Sequence, residues 1–137
     1  MNKQALNTLY HCVYNIHYHL VFVSKYRRLF ITPEVASYLE SQYRRLLETW
    51  NCELLECNGE SDHLHLLISA NPKIQPSKMV NSLKTATSRL LRKEFPEHLG
   101  QFYWKPVFYS RSYCLVSCGG APLEIVKQYL DQQEGFE

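Results

Sequence analysis

An α+β fold is predicted by three observations: a period-two apolar stretch from Tyr10 to Val23, two amphipathic segments opened by helix-start signals, and two strand-like runs joined by a turn signal between Cys52 and Ala70. In chain order these read strand, helix, strand, strand, helix, strand. That is the double βαβ order of a ferredoxin-like (RRM-like) sandwich, here followed by an additional C-terminal helix. Two helices on one sheet face leave the opposite face open for chemistry.

The first strand rests on Tyr10, Cys12, Tyr14, Ile16, Tyr18, Leu20 and Phe22, which share one side of an extended chain. The other side carries His11, Asn15, His17 and His19 before turning apolar at Val21 and Val23. Thr32-Pro33-Glu34 supplies a capping hydroxyl, a first-turn proline and an acid, so a helix is expected to run to about Trp50. Its apolar stripe is Val35, Tyr38, Leu39, Tyr43, Leu46 and Leu47. Cys52 to Cys57 and His63 to Ala70 read as a hairpin turning at Asn58-Gly59. Ser77 is expected to cap a second helix that ends near Phe95-Pro96. A fourth strand falls within Phe108 to Val116, Gly119-Gly120 breaks it, and Pro122 opens a terminal helix from Leu123 to about Gln133.

The chain has 137 residues, of which 45% are hydrophobic and 20% charged, the balance of an ordinary globular protein. One domain over residues 1–137 is expected. No apolar run reaches the roughly 18–20 residues of a membrane span and no signal-peptide pattern opens the chain, so a cytoplasmic location with no membrane partner is expected. The five cysteines, Cys12, Cys52, Cys57, Cys114 and Cys118, lack zinc-knuckle spacing and read as reduced thiols.

Net charge is only +2, so the placement of the basic residues matters more than their sum. Lys25, Arg27 and Arg28 form one cluster, and Lys78, Lys84, Arg89, Arg92 and Lys93 line an expected helix. Lys105 and Arg111 flank Trp104, Phe108 and Tyr109. Each run could be an ordinary solvated face, or a surface where phosphates meet cations and unpaired bases stack on rings.

Alternation along a strand points His63 and His65 to one face, with Leu64, Leu66 and Ile68 on the other. Two imidazoles on one face are half a metal site, and equally an unremarkable solvated pair. Asp62 stands where it could orient one ring. His17 and His19 repeat the spacing, so a four-histidine zinc centre is a competing arrangement if the two strands are neighbours. On the terminal helix Tyr129 and Gln133 are one turn apart and project from one side, with Gln132 similarly placed, while Tyr129 borders the packing face of Leu123, Val126 and Leu130 and reads equally as a structural aromatic.

The strand His63-Leu64-His65, entered through Ser61-Asp62 and left through Leu66-Leu67-Ile68, together with Gln128-Tyr129-Leu130-Asp131-Gln132-Gln133, resembles the single-tyrosine HUH transposases of insertion sequences that move as single-stranded DNA. The run Tyr18 to Arg27 is similar to that family's first strand and basic turn. The resemblance implies that His63, His65 and Gln133 hold Mg2+ or Mn2+ and that Tyr129 attacks a DNA phosphate to form a 5′-phosphotyrosine link. It implies binding to single-stranded DNA hairpins at element ends. It also implies a homodimer in which the terminal helix of one subunit can complete the site of the other. Two other readings compete: a noncatalytic ferredoxin-like module that binds single-stranded nucleic acid, and a zinc-dependent hydrolase built on His17, His19, His63 and His65.

Overall fold

A computed structural model of the chain describes residues 7–9, 12–105, 107–117 and 129–131. A short hairpin, β1 (Asn7–Leu9) and β2 (Cys12–Tyr14), precedes a four-stranded antiparallel sheet. That sheet comprises β3 (Ile16–Ser24), β4 (Glu53–Glu60), β5 (His63–Ala70) and β6 (Tyr109–Ser117) in the spatial order β4-β5-β3-β6. α1 (Pro33–Glu48) joins β3 to β4, and α2 (Pro76–Glu94) with the short α3 (Pro96–Gly100) joins β5 to β6. Because β5 is antiparallel to both β3 and β4, the latter two are parallel with β5 inserted between them, which is the ferredoxin-like arrangement.

Sequence pattern accounts for most of these elements. Thr32 Oγ1 accepts the Val35 amide at 3.1 Å and caps α1, and the helix buries Val35, Leu39, Tyr43 and Leu47 at helical spacing. α2 buries Met79, Val80, Leu83 and Leu91 against the same core. From the sheet come Leu20, Phe22, Leu54, Leu64, Leu66 and Ile68, the alternate residues of three strands. Both long helices therefore cover one sheet face. Inside that layer Tyr109 Oη is hydrogen-bonded to Tyr43 Oη and, at 2.8 Å, to Thr87 Oγ1, so its buried hydroxyls are satisfied.

Four expectations need correction. Of the single strand expected from Tyr10 to Val23, Tyr10 and His11 lie outside the described residues and the rest is two elements broken at Asn15, because Cys12–Tyr14 pairs with Asn7–Leu9 instead of the main sheet and leaves Val13 60% exposed. The hairpin turns at Ser61-Asp62, while Asn58 and Gly59 lie inside β4 opposite His65 and Leu64. α2 starts at Pro76, one residue ahead of the expected cap Ser77, since proline's fixed φ suits the first helical position. α3 has no counterpart in the predicted elements: Pro96 stops α2 and opens a new turn. Of the expected terminal helix, Tyr129–Asp131 are helical, whereas Gly119-Gly120, Pro122, Leu123, Val126, Gln132 and Gln133 lie outside the described residues. Among the described residues no helix is long and apolar enough to cross a membrane. Cys12, Cys52, Cys57 and Cys114 are free thiols.

Candidate active site

The register of the sheet decides what stands on its second face. His63 pairs with Val23 and His65 with Val21 across β5 and β3, and Val21 pairs with Cys114 on β6. Val21, Val23 and Cys114 form a small apolar cluster of their own, against which Tyr129 and Leu130 pack. The two imidazoles lie with ring centroids 5.0 Å apart at 73°, next to the valines that carry the tyrosine segment. His17 and His19 share this face but pair with Ser69 and Leu67, toward the other end of the strands. His17 lies about 20 Å along β3 from Val23, at the rise of about 3.3 Å per strand residue. His17 therefore stands apart from the His63–His65 pair, whereas His19 lies near enough to His65 to act on its charge, and no group of three or more His, Cys, Asp or Glu able to hold a metal occurs among the described residues.

Asp62 governs one imidazole. Its Oδ1 lies 2.8 Å from His63 Nδ1, and its Oδ2 accepts from Arg27 Nε at 2.8 Å. Burial pushes the Asp62 carboxyl up, but the hydrogen bonds to His63 and Arg27 and the Arg27 charge outweigh it and hold the pKa below the usual value. An ionised Asp62 can only accept, so His63 donates through Nδ1, which leaves Nε2 as the ring nitrogen that can face a metal. The Ser61-Asp62 turn is braced in turn: the Ser24 amide donates to the Asp62 carbonyl at 2.9 Å and the Ile31 amide to the Ser61 carbonyl at 3.0 Å.

The surroundings of His65 favour its neutral form. Burial lowers its pKa most, the His63 and His19 rings lower it further, and Glu60 opposes them. A neutral imidazole is the ligating form, so this pair fits a divalent ion to the extent of two nitrogen donors. The same shift has a stability consequence in the metal-free protein. With the folded value below the unfolded 6.5, the unfolded state binds more protons, so His65 contributes stability that is full above about pH 6.5 and lost as pH falls through its folded value. Urea midpoints are expected to fall between pH 7 and pH 5, and His65→Gln is expected to flatten that dependence.

Tyr129 is half-buried, its ring on the Val21–Val23–Cys114 cluster and its hydroxyl 3.1 Å from Ser112 Oγ. The next residue is tied down as well, since Arg27 donates a second hydrogen bond, at 3.0 Å, to the Leu130 carbonyl. A phenol and two imidazoles thus occupy one sheet face, joined by β3. Gln133, the expected third ligand, lies outside the described residues.

The family model described as "Transposase IS200 like" matches residues 12–133. The chain belongs to that family. It is 32% identical over 131 residues to the transposase for insertion sequence element IS200 of Salmonella typhimurium, covering 96% of this chain and 82% of the relative. It is 29% identical over 104 residues to the ISDra2 transposase TnpA of Deinococcus radiodurans, covering 76% and 74% of the two chains. A crystal structure of a Deinococcus radiodurans protein assigned as a transposase superposes with a TM-score of 0.84 at 30% identity, over 93% of this chain and 97% of the other.

In this IS200-like transposase the expected DNA-contacting cations divide into groups. Lys25, Arg28, Lys105 and Arg111 line one open cavity of about 380 Å³ with Tyr26, Tyr103 and Trp104. Trp104 is 87% exposed and Tyr26 52%, a rare investment of large rings in solvent. Lys25 and Arg28 lie 5.2 and 5.3 Å from the Tyr26 ring centroid, and Lys105 4.8 Å from that of Trp104. Lys84 donates to the Ser110 and Arg111 carbonyls and so braces β6, while Arg89 and Arg92 are exposed on α2. Arg27 turns inward to Asp62 and Leu130. Sequence reasoning missed Ser112, the inward turn of Arg27 and the role of Gly59. Only the last left a signal, a glycine two positions from the expected strand end.

Proposed function

We propose that the chain is a metal-dependent transposase that cleaves and rejoins single-stranded DNA at hairpin-bearing element ends through a 5′-phosphotyrosine on Tyr129. One observation carries the reading: the valines opposite His63 and His65 are the same valines on which Tyr129 packs. His63 and His65, with Gln133, are the residues that would hold Mg2+ or Mn2+. When bound between neutral ligands, such an ion supplies undiluted positive charge to a phosphate oxygen.

The chain's own groups do the rest. The Tyr129 phenol gives its proton to solvent as its oxygen attacks phosphorus, the bond from phosphorus to the 3′ oxygen breaks, and that oxygen leaves as a hydroxyl after taking a proton from solvent. Attack by a 3′-hydroxyl on the phosphotyrosine later reverses the exchange and frees the phenol, so the phosphodiester is conserved and joining needs no ATP. Ser112 fixes the position of the phenol before attack. Lys25, Arg28, Lys105 and Arg111 neutralise backbone phosphates, and Tyr26 and Trp104 stack on unpaired bases. The homodimer belongs to the same reading, with the Tyr129–Leu130 segment that packs here on its own chain exchanged between two copies.

The test is covalent capture. Protein incubated with a hairpin-bearing single-stranded DNA and Mg2+ or Mn2+ is expected to give a denaturant-resistant adduct whose nucleotide mass maps to Tyr129. An adduct on another residue, or none from a DNA shown to bind and to be cut, overturns the reading.

A further inference from the structure

The Lys25–Arg28 turn is the least ordinary piece of backbone in the described chain. Tyr26 and Arg27 both have positive φ, 62° and 54°, a conformation that side-chain-bearing residues adopt reluctantly and that persists only where surrounding contacts impose it. Those contacts are present. The Lys25 amide donates to the Phe108 carbonyl at 2.7 Å, Tyr103 Oη to the Lys25 carbonyl at 2.8 Å, and Ser24 Oγ to the Arg28 carbonyl at 2.7 Å. The outcome is that Arg27, between two residues whose side chains line the open cavity, points the other way.

Its guanidinium then bridges two parts of the site. Nε donates to Asp62 Oδ2 at 2.8 Å, and a terminal nitrogen donates to the Leu130 carbonyl at 3.0 Å. Asp62 Oδ1 meanwhile holds His63 Nδ1 at 2.8 Å. One rigid planar fork therefore touches the backbone next to Tyr129 and the carboxylate that orients His63. Its side chain is only 23% exposed and that of Asp62 18%, so water competes weakly for either bond.

We propose that Arg27 is a positioning residue that couples docking of the Tyr129 segment to the orientation of His63. When the segment is docked, Arg27 is fixed from both sides and Asp62 is held square to the imidazole. When it leaves, Arg27 loses one of its two anchors, and the carboxylate loses part of its restraint. Lysine cannot substitute, because one ammonium is a point donor and lacks the fork that reaches both acceptors. The catalytic meaning of this coupling rests on the function proposed above, whereas the coupling itself does not.

Hydrogen exchange and metal binding on the full chain, without DNA, separate the two arms. In the metal-free protein, amides at residues 129–131 are expected to exchange at least about tenfold faster in both Arg27→Ala and Arg27→Lys, because the Leu130 anchor is gone. The Mn2+ dissociation constant is expected to rise about tenfold in Arg27→Ala and at least about threefold in Arg27→Lys, whose ammonium still faces Asp62 but no longer ties it to the Leu130 carbonyl. Arg45→Ala, on an exposed stretch of α1 where Arg45 bonds Gln42, is expected to change neither. Wild-type exchange in both Arg27 variants overturns the proposal, as does unchanged Mn2+ affinity in Arg27→Ala. Weaker DNA binding with both readouts unchanged would make Arg27 a phosphate contact and overturns it equally. Should Arg27→Ala not fold, Arg27→Lys decides alone: faster exchange together with weaker Mn2+ binding supports the coupling, and either change without the other overturns it. Failure of Tyr129 to form an adduct would leave these results standing and remove only the proposed function.

Discussion

Tyr129→Phe is expected to abolish the protein–DNA adduct, with strand cleavage falling by at least about a thousandfold, the scale of losing a covalent nucleophile. The substitution is informative because it removes one oxygen and little else. The ring stays on Val21, Val23 and Cys114, and the hydrogen bond lost, to Ser112 Oγ, involves an exposed hydroxyl that water can satisfy. Unfolding midpoints and hairpin binding are therefore expected to stay close to wild type. A denaturing gel of labelled DNA reads the first effect and a gel shift the second. Persistent adduct in Tyr129→Phe would move the nucleophile elsewhere. Loss of hairpin binding in the same variant would make the tyrosine a DNA contact, whereas the noncatalytic nucleic-acid-binding reading leaves Tyr129 merely packed, with binding that survives without metal and no adduct in wild type.

Gly59→Ala is expected to be costly although it adds a single methyl group. A Cβ at this position would lie 2.3 Å from the His63 carbonyl oxygen and 2.8 Å from Leu64 Cα. Both are backbone atoms of β5 and cannot swing aside as a side-chain tip can, so β4 or β5 must move. Overpacking of this kind costs about 1–3 kcal/mol, and urea unfolding is expected to register it. The crowded atoms are the backbone of His63, proposed above as a metal ligand, and of its neighbour Leu64, so Mn2+ affinity is expected to fall along with stability. Retention of both would show that the strands separate locally without cost. Asn58→Ala, one position away on an exposed strand residue, supplies the comparison that isolates the steric term.

Secondary structure was readable where periodicity and capping act locally. Thr32-Pro33-Glu34 opens α1 through a side-chain bond to a residue three positions on, and no distant partner is needed. Alternation in His63–Ala70 sets three leucine-type side chains into the core and both histidines onto the opposite face, a consequence of strand geometry alone. The same logic failed at Asn58-Gly59, because a glycine demanded by a close crossing and one demanded by a turn look alike in one dimension. It failed again before Asn15, where the strand pattern continues but the partner changes.

Residue order therefore settled the ferredoxin-like sequence of elements, the placement of His63 and His65 on one face, and the helical setting of Tyr129. Family membership was legible there too, since it rests on the residues themselves. What only the tertiary arrangement decided is proximity. Register placed Val21 and Val23 between the histidine strand and Tyr129, and it kept His17 at the far end of β3. A left-handed turn sent Arg27 to Asp62 and Leu130, 35 and 103 residues away in the chain. Contacts across such separations are fixed by strand pairing and packing over the whole sheet, and no local spacing encodes them.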